Sequence, residues 1–285
     1  MAAAKRRDLF SKNIETINGL LLQKKMYSLK DLNILLIDLK SKRLVAQDIS
    51  ARRFFDLLQE RLGLRTYSVS SERINKVRYS LFQDINVYDF VNSFERHGFF
   101  SMSSALNIQG YSDQKSEFIF YAKEQSPKHN LSDDALTQEA IDHAYRKEYR
   151  YTSSIASYDG KYIVYLTPKH TDRFEIIKHN GYDVSSIHRA FVEMIMHVQY
   201  FKNFEDVIKI FQPLKEKLDP KKIFQVVEAF DPIYPYFQLI GFSLEKVGFD
   251  KDELILFKYQ VSDLNFYTQK GKDAYHFNTR WNIYY

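Results

Sequence analysis

Three apolar stripes of helical period, followed by two alternating segments, occupy the first 82 residues and constrain the fold more than any other feature of the chain. Phe10, Ile14, Ile17 and Leu21 fall at spacings of four, three and four, which puts them on one face of a first helix over residues 8–25. Ser28-Leu-Lys-Asp31 has the form of a capping box, and Leu32, Leu35, Leu36 and Leu39 continue the stripe, predicting a second helix over 29–40. The basic link Lys40-Ser-Lys-Arg43 ends it. A third helix over 49–62 gathers Ala51, Phe54, Phe55, Leu58 and Leu62 on one side and leaves Arg52, Arg53, Asp56 and Gln59 on the other. Leu64 to Ser70, a polar tip from Ser71 to Lys76 and the alternating run Val77 to Phe82 then read as a β-hairpin.

Three helices and a hairpin follow the order of a winged helix-turn-helix, and the charge points the same way. Residues 1–80 carry 17 Lys/Arg against 8 Asp/Glu, a net of +9, whereas residues 81–285 carry 24 against 28, a net of −4. A positive block of domain size is the electrostatic footprint of a unit that docks on phosphate. In such a unit the third helix enters the major groove of DNA with its first turn nearest the base edges. Ser50, Arg52 and Arg53 sit there, with Asp56 and Gln59 further along the same polar face. Cations at a helix N-terminus oppose the macrodipole by up to about 1 kcal/mol, so the arginine pair calls for a compensating partner. A guanidinium can fork onto guanine O6 and N7 or onto a phosphate. Lys42 and Arg43 on the link, and Arg73, Lys76 and Arg78 on the hairpin, are placed for backbone contacts. The competing assignment is a solvated surface on which Arg52 and Arg53 pair with Asp48 and Asp56. Lys5-Arg-Arg7 reads either as a phosphate-seeking arm or as a solubilising N-terminus.

A chain of 285 residues is long enough for two cores, and the expected division is 1–82 and 83–285. The longest unbroken aliphatic runs are about four residues, against the roughly 18 needed to span a bilayer, and the N-terminus has no apolar signal segment. No cysteine is present, which removes disulfides and thiolate chemistry and suits the cytoplasm. After a short helix near 86–96 and the small-residue run Phe99 to Gly110, Ser116–Ala122 and Lys161–Leu166 are strand-like and should pair, with Asp159-Gly160 as a turn. Ile187, Phe191, Met194, Ile195 and Val198 make a helical stripe, and Phe204 to Leu218 another, interrupted by Pro213. Asp219-Pro220 opens a helix to about Phe230, and a further helix runs from Tyr234 to Val247 before Gly248. Glu253–Lys258 and Leu264–Thr268 are strand-like pieces before the single tryptophan, Trp281. The expected class is α+β, with a small, mostly antiparallel sheet in the second unit.

Little argues for an enzyme. The nine glycines are never adjacent or two apart, which removes the written nucleotide-cradling patterns, and His-Glu-x-x-His is absent. His188 and His197 fall on opposite faces of one predicted helix, so neither metal nor cofactor is expected. For a Mg²⁺-dependent nuclease the nearest carboxylate groupings are Asp172, Glu175 and Lys178, or Asp133 and Asp134, with no Glu-x-Lys anywhere. Tyr234, Tyr236, Phe237, Phe242 and Trp281 could line a pocket or pack as core with their hydroxyls at its rim.

Several spaced segments together resemble the AbiEi family of abortive-infection antitoxins: Ile49-Ser-Ala-Arg-Arg-Phe54, Phe99 to Gln114, Glu124-Gln-Ser-Pro127, Leu136 to Asp142 and Lys169-His-Thr171. Asp231-Pro-Ile-Tyr-Pro-Tyr-Phe-Gln238 through Gly248, Asn265-Phe-Tyr, Phe277 and Trp281 extend the likeness to the C-terminal half. Departures are His188, Met194-Ile-Met196, Phe237 and Gln199 to Asn203. The resemblance implies a winged-helix head that binds inverted repeats in double-stranded DNA and represses its own operon, and a body that counters a nucleotidyltransferase-like toxin without a stable complex. Arg52, Arg53 and Ser50 match both the family motif and the reading of the residues. A protein- or RNA-interaction module with a basic head, or a metal-dependent nuclease, are the alternatives.

Overall fold

Ser28 accepts a hydrogen bond on Oγ from Asp31 N at 3.1 Å, and Asp31 Oδ2 accepts one from Ser28 N at 2.7 Å. That reciprocal box starts a helix at Leu29, where the sequence places it. The coordinates are a computed structural model describing residues 8–112, 116–127, 135–272 and 274–285. Lys5-Arg-Arg7, Asp113-Gln114 and Asp133-Asp134 lie outside the described residues. The chain divides into two compact units, one of residues 8–96 with 156–160 and one of the remaining described residues.

In the first unit the expected first helix is two, α1 (Leu9–Lys12) and α2 (Ile14–Leu21), broken at Asn13 with φ −110° and ψ 18°. Asn13 Nδ2 donates to Leu9 O at 2.9 Å and Leu44 O at 3.0 Å, so its amide bonds backbone that a continuous helix would leave to itself. Helix α3 (Leu29–Ser41) turns Leu32, Leu36 and Leu39 inward. Helix α4 (Ala51–Leu62) is capped by Ser50, whose Oγ accepts from Arg53 N at 3.1 Å, and stops at Gly63 in the left-handed region with φ +70°. Its buried face is Phe54, Leu57 and Leu58, with Phe55 half-buried edge-on to Tyr79 at 4.8 Å. Ala51, expected on the apolar side, is exposed, because the first turn projects past the core. Phe10, Ile17, Leu21, Leu36, Leu39 and Leu58 form the centre, each fully buried aliphatic or aromatic side chain contributing about 1.5–3 kcal/mol.

Strands β1 (Arg65–Ser70) and β2 (Asn75–Ser80) form an antiparallel hairpin with Tyr67 opposite Arg78. Tyr27 fastens it to the helices, donating from N to Tyr79 O at 2.8 Å and accepting from Tyr79 N at 2.9 Å. Helix α5 (Val87–Asn92) follows, and its Phe90 lies 6.4 Å from Tyr67, 5.0 Å from Phe94 and 4.4 Å from Tyr158 between ring centroids. This aromatic packing is why residues 83–96, assigned to the body on sequence, belong with the first unit.

The second unit is α+β. Its strands β3 (Phe99–Phe100) and β4 (Phe118–Ala122) are separated by α6 (Met102–Ile108), and α7 (Gln138–Arg146) and β5 (Ile155–Tyr158, straddling the division) precede β6 (Lys161–Leu166). With β7 (Ile176–His179) and β8 (Tyr182–Ser185), five strands lie in the order β6-β4-β3-β8-β7. The expected pairing of residues 118–122 with 162–166 forms, but it is parallel, as is β3 with β8, while β3–β4 and β7–β8 are antiparallel. The sheet is therefore mixed rather than mostly antiparallel. The 38 residues between β4 and β6 supply the crossover that a parallel pair requires.

Helix α8 (Ile187–Met196) is buried from Ile187 to Ile195, charged residues included. Helix α9 (Phe204–Phe211) gives way to a 3₁₀ turn, Gln212–Lys217, at Pro213. Helices α10 (Pro220–Phe230) and α11 (Tyr236–Val247) follow, the first capped by Asp219 Oδ1 accepting from Lys221 N at 2.9 Å, the second ended by Gly248 at φ +116°. Residues 253–258, expected as a strand, instead enter helix α12 (Ile255–Tyr259): Leu254 and Phe257 are buried three apart while Leu256 is exposed, a helical and not an alternating pattern. Strands β9 (Phe266–Tyr267), β10 (Phe277–Asn278) and β11 (Ile283–Tyr284) make a second small sheet, with Trp281 fully buried before its last strand. Among the described residues no helix is long and apolar enough to cross a membrane.

Candidate nucleic-acid interface

The polar face of α4 begins at its capped end. Ser50 uses its hydroxyl as the cap, so that group is committed to holding the helix start. The first turn carries no acidic residue and presents Arg52 and Arg53 to solvent. Arg53 Nη1 lies 3.3 Å from Glu60 Oε1, seven residues along the same face, with both side chains more than half exposed. Arg52 makes no hydrogen bond or ion pair among the described residues. The competing assignment, pairing of both arginines with Asp48 and Asp56, is thus replaced by a single exposed pair between Arg53 and Glu60. An exposed pair of that kind is worth about 0–1 kcal/mol and yields readily to a phosphate. Asp56 is half-buried and Gln59 exposed on the same helix.

The other basic residues separate into two groups. Arg43, at φ +57° after α3, and Arg73, at the hairpin tip, are exposed and make no ion pair among the described residues. Lys42 Nζ lies 2.7 Å from Asp38 Oδ2, one exposed turn back on α3. Lys76 and Arg78, expected to face phosphate, spend their donors inside the unit. Lys76 Nζ pairs with Glu95 Oε1 at 2.6 Å, and Arg78 donates from Nε and Nη2 to Ser93 O at 2.9 and 2.8 Å and from Nη2 to Phe94 O at 2.9 Å. They tie the hairpin to the segment after α5, a role the alternation of the hairpin could not disclose.

Sequence reasoning passed over three cations. Arg65, at the start of β1, is exposed without an ion pair among the described residues. Arg61 Nη1 bonds Asp8 Oδ2 at 3.0 Å and Ser11 Oγ, pinning the end of α4 to α1. Lys24 Nζ lies 2.9 Å from Asp31 Oδ2. Burial pushes the Asp31 carboxyl upward, but hydrogen bonds from Lys24 and Ser28 outweigh it and hold the group below its ordinary range. Only the first residue of that trio joins the exposed cations without an ion pair among the described residues.

In the second unit Glu175 and Lys178, weighed for a nuclease, are each taken up by another partner. Glu175 Oε2 lies 3.3 Å from His188 Nδ1, and Lys178 pairs with Asp183 at 2.6 Å. Among the described residues no three His, Asp or Glu side chains converge as a metal-binding group. Of the C-terminal aromatic group, Phe242 and Trp281 are core, whereas Tyr234 and Tyr236 line cavities.

No family model matches the chain, and no curated protein matches it. Among solved structures, the RV2827C protein from Mycobacterium tuberculosis is similar in fold, with a TM-score of 0.54 at 9% sequence identity, covering 96% of this chain and 91% of that one.

Proposed function

We propose that the first unit is a winged helix-turn-helix that binds double-stranded DNA, with α4 as its recognition helix and the β1–β2 hairpin as its wing. Arg52 and Arg53 reach base edges from the first turn of α4, while Arg43, Arg65, Arg73 and Lys42 contact phosphate. Lys76 and Arg78 position the wing instead of touching the duplex. The chain acts as a cytoplasmic repressor of its own operon and as the antitoxin of a nucleotidyltransferase-like toxin, in the manner of the AbiEi family, countering that toxin without a lasting complex.

The observation that carries this reading is Arg52: a guanidinium exposed in the capped first turn of a helix, its side chain without hydrogen bond or ion pair among the described residues. It stands against the positive end of the helix dipole, an arrangement that becomes favourable once an anion arrives. Titration of a labelled duplex from the chain's own promoter with the full chain tests it. The expected affinity falls log-linearly with salt and exceeds that for scrambled duplex by about 10³-fold or more. Equal affinity for promoter and scrambled DNA, or a preference for single-stranded RNA, would sink the assignment.

A further inference from the structure

The second unit has a half-open cavity of about 220 Å³ between α7, the end of α8 and the start of α11. Phenol rings dominate its wall. Tyr145, Tyr149, Tyr234 and Tyr236 line it, and three of them pack on Phe266, with ring centroids 5.2 Å away for Tyr145, 5.9 Å for Tyr234 and 5.4 Å for Tyr236. Hydrogen bonds fix the other edges: Tyr145 donates its hydroxyl proton to Tyr267 O at 3.2 Å, and Tyr149 Oη accepts from Lys270 N at 2.7 Å. The rings are therefore held in place before any ligand arrives.

The polar part of the lining is unbalanced. Arg150 and Lys270 contribute positive charge, and among the described residues no carboxylate lines the cavity. Lys270 Nζ lies 5.8 Å from the Tyr145 centroid and 5.5 Å from that of Tyr149, over the aromatic wall, and its one hydrogen bond among the described residues is a long 3.4 Å contact to Glu148 O. Burial, with Arg150 and Lys147 nearby, lowers its affinity for a proton, as expected where cations crowd without a counter-ion. Arg150 is exposed and makes no ion pair among the described residues.

Thr268, on the same wall, is only 2% exposed, so its hydroxyl stays inside the fold and the cations are left as the polar groups that face the opening. Gln199 adds a further amide to this wall.

We propose that the cavity binds a small organic anion bearing a planar ring, of the size and chemistry of a nucleoside monophosphate. The ring lies against the tyrosines, and the phosphoryl group meets Lys270 and Arg150. Stacking on phenol faces and a cationic phosphate clamp are the two elements such a ligand needs. The site is independent of the DNA-binding reading, since all its residues belong to the second unit.

Calorimetric titration of the full chain with AMP, adenosine and inorganic phosphate, each alone, tests the proposal. Saturable AMP binding with Kd of about 1 mM or tighter is expected, with adenosine and phosphate each weaker by about tenfold or more. Arg150→Met with Lys270→Met should weaken AMP by about tenfold or more and spare adenosine. Arg150→Met alone, at an exposed position, serves should the double variant fail to fold. Absence of saturable AMP binding, phosphate binding as tightly as AMP, or an unchanged AMP affinity in the arginine and lysine variants would each overturn it.

Discussion

Arg189 Nε donates to Glu193 Oε1 at 2.8 Å, one turn apart on α8, with the arginine fully buried. The same guanidinium donates to Glu124 Oε1 at 3.1 Å, Thr171 Oγ1 at 2.9 Å and Phe174 O at 2.7 Å, and its carbon lies 4.9 Å from the Phe99 centroid and 5.1 Å from that of Phe230. Glu193 in turn accepts from Met102 N at 3.1 Å and from Ser185 Oγ. One cation thus joins α8 to the loops before β7 and after β4. Removing it leaves two carboxylates facing each other in the interior. Arg189→Met is expected to destabilise the second unit by about 3–5 kcal/mol. Adding Glu124→Gln and Glu193→Gln should recover part of that loss, and urea unfolding followed by the fluorescence of Trp281 measures both. Full stability in Arg189→Met would show that the network carries no load.

Gly241, inside α11, faces the indole of Trp281. A Cβ placed on it would come within 2.3 Å of Cζ3 and 2.5 Å of Cη2. Alanine would gain roughly 1 kcal/mol in helix propensity at an open site. Here it meets a rigid ring whose Nε1 is also held by Glu245 Oε2 at 2.9 Å, so the ring cannot swing away without losing that bond. Gly241→Ala should therefore destabilise by about 1–3 kcal/mol, the usual cost of overpacking, and shift the tryptophan emission. A neutral or stabilising result would mean that the C-terminal segment yields easily.

Local chemistry was legible in the sequence and distant pairing was not. The Ser28–Asp31 box, the Gly248 stop and the Asp219-Pro220 start all depend on residues within four positions of one another, and all stand where the spacing puts them, whereas the Ser50 cap and the Gly63 stop use the same local chemistry and went unread. Asn13 breaks a helix because its amide finds Leu44 O, 31 residues away, which no periodicity reveals. Residues 253–258 look like a strand by composition, yet which of Leu254, Leu256 and Phe257 is buried depends on neighbours from other elements. The same holds for the candidate interface. Helical spacing separates Arg52 and Arg53 from the core of α4, but alternation along the hairpin says nothing of residues 93–95, which take up Arg78 and Lys76. The tyrosine-lined cavity draws on four separate stretches of chain, and only Tyr234 and Tyr236 stood out beforehand.

Acid should weaken the second unit through Glu124. Burial raises the affinity of this carboxyl for a proton, but the Thr171 hydroxyl, the backbone N–H groups of Thr171 and Arg173, and the charge of Arg189 outweigh it and hold the pKa below the ordinary 4.5. A depressed folded pKa contributes stability that is complete above the unfolded value and disappears as pH falls through the folded one. Unfolding midpoints in urea should thus be flat above roughly pH 5 and decline below it. Glu124→Gln should be less stable at neutral pH and show a shallower decline in acid. Parallel curves for the two proteins would remove Glu124 from the account.

The proposed DNA surface makes a prediction that separates binding from folding. The Arg52 side chain bonds to nothing among the described residues, and Arg53 contributes only an exposed pair, so replacing either by Ala should leave head stability within about 1 kcal/mol of the parent. Each should nevertheless cost about 1–3 kcal/mol of operator affinity if it makes a bidentate base contact, and should relax the sequence preference at one position. Arg73→Ala should instead weaken all duplexes alike and lower the salt slope by about 1. Arg78→Ala is expected to behave in the opposite way from all three. Its guanidinium holds Ser93 O and Phe94 O, so its loss strands two carbonyls and destabilises the hairpin, while affinity per folded molecule changes little. Equilibrium unfolding and duplex titration of the four variants, on the same preparations, resolve the two effects. If Arg52→Ala and Arg53→Ala bind the operator as the parent does, α4 is not the recognition helix.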